Sequence, residues 1–150
     1  MGRRSRRAER LRGSCGAALI LVDTSAWVEF LRKTGSPTNL RVRRLVSTRG
    51  TLVLTDAVLM ELLSGARTDQ RARELRRFLL SFEHVPTDPV ADFEAAAAVY
   101  RACQREGETV RSLVDCLVAA VALRAGLPVL ARDRDFEVIA RHTGLELDAG

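Results

Sequence analysis

Leu19-Ile20-Leu21-Val22-Asp23-Thr24-Ser25-Ala26-Trp27-Val28-Glu29-Phe30 is the stretch on which the reading of this chain turns. Four apolar residues without a polar break predict a short strand buried on both faces, the kind that parallel sheets contain. Asp23 ends it, Thr24 and Ser25 supply hydroxyls where a helix would start, and Ala26, Trp27, Phe30 and Leu31 follow at helical spacing. A carboxylate is therefore expected at the C-terminal end of a buried strand, the edge at which open α/β sheets hold their ligands.

N-terminal to this stretch the composition changes. Residues 1–18 hold six arginines against Glu9, which accounts for the whole net charge of +5 and leaves 18 basic and 18 acidic residues in the remainder. The arm lacks an apolar period and reads as a disordered basic segment, 1–18, ahead of a neutral folded domain, 19–150. A solvated tail, a nucleic-acid arm and a consequence of start-codon choice all fit it. Ser5-Arg6-Arg7 resembles a twin-arginine export start, but the apolar run that follows is shorter than the usual export h-region and far short of a membrane span.

The whole chain has 150 residues, 47% hydrophobic and 29% charged, as expected for one globular domain able to bury roughly two-thirds of its unfolded surface. Cys15, Cys103 and Cys116 are odd in number and lack CxxC spacing, which argues against a disulfide framework or a zinc site and predicts reduced thiols in a cytoplasmic protein.

C-terminal to the opening stretch, apolar periodicity predicts helices over 25–33, 40–48, 57–66, 68–82, 87–106 and 110–125, and a last one ending near His142. Apolar runs at 51–54, 127–131 and 145–147, with a short one near Val85, read as strands, and Pro128 sits where no ladder donor is lost. Strands alternating with helices give an α/β fold of three layers, a central parallel sheet flanked by helices.

Asp23 follows the first strand, Asp133 and Asp135 follow the run at 127–131, and Glu61 and Asp115 lie on helices that start after sheet connections. Such a topology gathers them at one sheet edge. Four ionised acids within about 5 to 7 Å of one another would repel by ~15 kcal/mol in total, as much as a domain's whole stability. The pocket must take up protons or cations, and an all-oxygen ligand set suits a hard ion, Mg²⁺ or Mn²⁺. The matching chemistry is metal-assisted attack of water on a phosphodiester.

These residues carry a resemblance. Leu-Val-Asp-Thr-Ser-Ala-Trp at 21–27, Glu61 in a Thr-Asp-x-x-x-x-Glu-Leu context, Asp115 in Asp-Cys-Leu-Val-Ala-Ala, and Leu-Ala-Arg-Asp-Arg-Asp-Phe at 130–136 are similar to the PIN-domain ribonucleases, and more narrowly to the VapC toxins of bacterial type II toxin–antitoxin systems. The likeness spans 19–147. It implies a PIN-like fold, an Mg²⁺-dependent endoribonuclease acting on structured RNA such as tRNA or rRNA, a homodimer, and silencing by a small cognate antitoxin. Asp23, Glu61, Asp115 and Asp133 match the family's acidic quartet, Asp135 its additional acid, and Ser25 the hydroxyl that supports the first Asp. Asp23 and Asp115 are assigned as direct metal ligands, with Glu61 and Asp133 placing the metal's water or a second ion. Arg111, Arg132 and Arg134 fit phosphate contacts, and equally well local charge balance.

Two other readings compete with this one. A haloacid-dehalogenase-like phosphotransferase would want an Asp two positions after Asp23, where Ser25 stands, and a lysine for which Lys33 is the sole and badly placed candidate. An inactive PIN-like module binding RNA or protein is the other, although bare carboxylates repel phosphate. His84, His142 and Cys116 lack ligand or nucleophile partners in the pattern and read as structural, as do Trp27 and Phe30. The basic helix at 67–77 and the apolar faces near Trp27 are the candidate partner surfaces.

Overall fold

The computed structural model describes residues 18–48 and 50–149, so the basic arm, Ala18 excepted, and Cys15 lie outside the described residues. β1 (Ile20–Val22) pairs in parallel with β2 (Leu52–Thr55) on one side and β4 (Val129–Leu130) on the other, and β3 (Glu83–Val85) extends the sheet beyond β2, giving the order β3-β2-β1-β4. Every residue of β1, β2 and β4 is buried. Burial on both faces is the physical reason these strands are apolar runs, Thr55 at the end of β2 excepted, rather than alternating ones.

Among the described residues seven helices surround the sheet: α1 (Thr24–Leu31), α2 (Pro37–Ser47), α3 (Asp56–Ser64), α4 (Asp69–Leu79), α5 (Ala91–Arg105), α6 (Leu113–Ala125) and α7 (Arg134–His142). α1 packs on α2 and α3, and α3 on α4; α5, α6 and α7 pack on one another. The expected α/β architecture, a parallel sheet flanked by helices, is what forms. Trp27 is wholly buried and lies 5.6 Å from Phe30, 6.0 Å from Phe78 and 5.7 Å from Phe82 between ring centroids, which joins α1 to α4. Trp27 is thus a core residue and offers no surface to a partner. Among the described residues no helix is long and apolar enough to cross a membrane.

The strand order decides where ligands can bind. The first two crossovers step from β1 to β2 to β3, and the third returns to the opposite side of β1, leaving a crevice between the C-terminal ends of β1 and β4. Asp23 follows β1 and Asp133 follows β4, so they flank it.

Several boundaries differ from the sequence expectation, each for a tertiary reason. The helix expected from Val110 starts at Leu113, because the Arg111 and Ser112 amides donate to the Asp135 carboxylate instead of entering a helix. The helix expected from Thr87 starts at Ala91, after Val90 at φ 66°, and its Asp92 carboxylate accepts the Asp88 amide at 2.7 Å. Thr55 occupies the cap of α3 without a side-chain bond, while Asp56 turns to His84 and the Thr87 amide. Of the strand expected at 145–147, only a parallel bridge between Leu147 and Val129 remains. Cys103 and Cys116 are buried free thiols, as expected; burial pushes Cys116 up to about 12, so it is no nucleophile.

Candidate metal centre

Asp23 does two jobs with one oxygen. Its Oδ2 caps α1 by accepting the Ser25 amide at 2.9 Å and also accepts the Ser25 hydroxyl at 2.6 Å. The expectation that Thr24 and Ser25 start the helix as caps is thereby corrected: the carboxylate caps, and the two hydroxyls serve acids. Ser25 Oγ accepts the Arg132 amide at 2.9 Å and the Asp133 amide at 3.3 Å, which clamps the end of β1 to the segment leaving β4. Thr24 donates to Glu61 Oε2 at 2.5 Å, so the first turn of α1 holds an acid on each of two sides. Thr24 was not singled out from the sequence as a site residue; its adjacency to Asp23 was visible, but its partner lies 37 positions away.

Asp133 caps α7 and Asp115 sits in the first turn of α6, where the Ser112 hydroxyl caps the helix by accepting the Asp115 amide at 3.3 Å. Both acids therefore occupy the electropositive end of a helix. Asp135 is served differently. Its Oδ2 accepts the Arg111 amide at 2.7 Å and the Ser112 amide at 3.2 Å, and its Oδ1 accepts Arg111 Nε at 3.1 Å. The same guanidinium reaches Asp133 Oδ1 at 2.8 Å. Arg132 pairs with Glu29 at 2.7 Å, away from the cluster. Both arginines are engaged in local charge balance.

Carboxylate oxygens of Asp115, Asp133 and Asp135 lie within 4.8 Å of one another, a spacing that a single cation can span. Asp23 and Glu61 stand outside that trio but close enough to act on it. Burial, followed by the charges of Asp23, Asp133, Asp135 and Glu61, pushes Asp115 up to about 8. Burial likewise raises Asp23, against the Ser25 bonds that favour its ionised form. The five acids named from the sequence are thus one electrostatic unit.

The decisive detail is what two of the buried acids, Asp23 and Asp115, lack. Asp23 Oδ1 and Asp115 Oδ2 are buried and receive no hydrogen bond. Buried carboxylate oxygens without donors are costly, and a cation is the partner their chemistry calls for. The donor set is all oxygen and carries several negative charges, which fits a hard divalent ion.

The PIN domain family model matches residues 20–142. The sequence is 47% identical over 129 residues to Ribonuclease VapC11 of Mycobacterium tuberculosis, a match covering 85% of this chain and 96% of that protein. The chain belongs to the PIN-domain family, among the VapC ribonucleases. VapC ribonuclease Mb1587 of Mycobacterium bovis matches this VapC-family chain to the same extent. Among solved structures, a DNA-bound VapBC from Salmonella typhimurium superposes with a TM-score of 0.70 over 87% of this chain and 97% of that one, at 20% identity, and speaks for the fold alone. VapBC-5 from Mycobacterium tuberculosis gives a TM-score of 0.58 at 26% identity, with the same coverage of both chains.

His84 and His142 stay structural in this VapC-family fold. His84 Nε2 pairs with Asp56 at 2.7 Å, and His142, with Arg141, binds Glu108 at the end of α7, whose carboxyl these two donors hold down at about 2.

Proposed function

We propose that this chain is a divalent-metal-dependent endoribonuclease toxin that hydrolyses phosphodiester bonds of structured RNA, tRNA or rRNA. The observation that carries the reading is the pair of donorless buried oxygens, Asp23 Oδ1 and Asp115 Oδ2, in a site charged enough to need a cation. The 47% identity to proteins named as VapC ribonucleases supports the RNA substrate. Asp23 and Asp115 would hold the ion, with Glu61, Asp133 and Asp135 completing the acidic ring. Mg²⁺, or Mn²⁺ in its place, would there acidify a water and neutralise the charge that builds on the phosphate in the transition state.

The chain's own residues supply the rest. Ser25 fixes the Asp23 rotamer and ties it to Asp133. Thr24 orients Glu61, whose other oxygen is left to place water or a second ion. Arg111, Arg132 and Arg134 are assigned to the RNA phosphates once the ion offsets carboxylate repulsion, Arg111 turning from Asp133 and Asp135 and Arg132 from Glu29. Control by a small antitoxin and assembly as a homodimer belong to the same proposal; several of the fold's relatives are VapBC toxin–antitoxin structures. A groove of about 650 Å³, lined by Val28, Leu31, Leu62, Leu75 and Phe78, opens onto Thr24 and Glu61 and suits an antitoxin segment that must reach the site.

Purified protein should cut RNA with Mg²⁺ or Mn²⁺ and not in EDTA, and Asp115→Asn should abolish cutting while the variant stays folded by circular dichroism. Cleavage in EDTA, undiminished cleavage by the variant, or RNA retained without cutting at any metal concentration would overturn the reading.

A further inference from the structure

We infer that Arg111 is a built-in counter-cation of the acid cluster, one that occupies the Asp133–Asp135 side of the site in the metal-free protein and gives it up when a divalent ion enters. The inference rests on the metal-site reading above and assigns a regulatory role within it. Arg111 is anchored twice. Its backbone amide donates to Asp135 Oδ2 at 2.7 Å, while its guanidinium spans Asp135 Oδ1 at 3.1 Å and Asp133 Oδ1 at 2.8 Å. Those two carboxylates belong to the trio whose oxygens lie within 4.8 Å of one another, so guanidinium and metal ion address the same acids.

The two anchors differ in permanence. Asp135 is buried, and the backbone amides of Arg111 and Ser112 hold it whatever side chain stands at 111. The guanidinium side chain is 70% exposed and Asp133 is 36% exposed, so the Asp133 half of the contact can open into solvent, whereas Asp135 Oδ1, on a side chain 5% exposed, gives up its guanidinium donor only in exchange for the entering ion. At the other side of the cluster no such donor reaches Asp23 Oδ1 or Asp115 Oδ2. The site is thus half neutralised from within: a cation from the chain sits at its outer rim, and its inner oxygens wait for one from solution. A fixed positive charge beside a divalent ion repels it, and its removal should tighten metal binding. A residue that merely builds the loop would do the opposite, since its loss would loosen Asp133 and Asp135 and weaken binding.

The test measures Mn²⁺ binding to the full-length protein, by calorimetry or by the paramagnetic signal of free Mn²⁺, without RNA. Arg111→Gln should bind Mn²⁺ about five- to tenfold more tightly than wild type, given a partly screened charge at the rim. Arg111→Lys should restore wild-type affinity, and Arg44→Gln, an exposed arginine on α2, should leave it unchanged. Thermal melting gives a second readout. Without metal Arg111→Gln should melt below wild type, and saturating Mn²⁺ should close that gap. Equal or weaker binding by Arg111→Gln, or a melting gap that persists in metal, overturns the inference. Failure of wild type to bind Mn²⁺, or binding undiminished in Asp115→Asn, strikes the metal-site reading itself, so the two failures are told apart.

Discussion

Asp92 and Asp115 are carboxylates of neighbouring helices, α5 and α6, hidden to 1% and 7% exposure, and their surroundings treat them in opposite ways. Asp92 receives two nitrogens of the Arg124 guanidinium, each at 2.8 Å, and the Asp88 amide at 2.7 Å. Burial works against its ionisation, but the guanidinium and the amide outweigh burial and hold it below the usual carboxylate range. Asp115 is given like charges for neighbours and one oxygen without a donor, and is pushed up to about 8. A buried acid that serves the fold is supplied with partners by the fold. One that is left wanting marks the place where something from outside completes it.

The contrast can be broken by experiment. Asp115→Asn carries the largest expected effect: RNA cleavage should fall by at least about a thousandfold, the scale of losing a group that stabilises the transition state. The same variant should melt later than wild type in EDTA near pH 8.5. Relief of a carboxyl raised to about 8 from 3.8 is worth on the order of 6 kcal/mol, or roughly 15 °C. An earlier melt would place Asp115 with Asp92 among structural acids.

Arg124→Ala should move stability the other way, by about 3 kcal/mol, since it strands Asp92 in the interior with only a backbone donor. Mn²⁺ affinity should not change; if it did, the two regions would not be independent.

The pH dependence separates them next. Because the folded protein holds the Asp115 proton more tightly than the unfolded chain does, this group's contribution to stability is complete below about pH 4 and is lost as pH rises towards 8. Asp92, with a lowered value, contributes above its unfolded value and loses that contribution on acidification. Melting in EDTA should therefore decline as pH rises from about 5 to about 8 and then level off, and saturating Mg²⁺ should remove the decline by stabilising the ionised form. At 100 times its dissociation constant the ion adds about 2.7 kcal/mol. A flat profile without metal would show that Asp115 is not strained. The smallest effect is expected from Ser25→Ala, a loss of about tenfold in turnover and about 1 kcal/mol in stability, because Asp23 keeps the Ser25 amide as donor while the Arg132 and Asp133 amides lose their acceptor.

Much of this was legible in the residues. The apolar runs of β1, β2 and β4 and the periodicity of α1 to α7 follow from burial patterns that any local window contains, and the parallel sheet follows from their alternation. The acids Asp23, Asp115, Asp133 and Asp135 could be named because each stands where a strand or helix begins or ends, and Glu61, inside α3, because it fits the family pattern. The start of α6 could not, since Leu113 rather than Val110 opens it only because Asp135, more than 20 residues later, takes the intervening amides. The fate of Arg111 was equally hidden. Phosphate contact and charge balance look alike in sequence, and its bonds to Asp133 and Asp135 favour the second.

By itself the sequence determined the order of elements, the family, and which carboxylates lie near the ends of strands and helices, for these depend on local composition and spacing. Only the tertiary structure decided which carboxylates are satisfied and which are not. That division turns on donors brought from distant segments: Arg111 for Asp135, Arg124 for Asp92, and none for Asp115 Oδ2, whereas Ser25, two residues from Asp23, is a local donor. A hydrogen bond reaches about 3 Å and is blind to separation along the chain, so its presence or absence is a property of the fold.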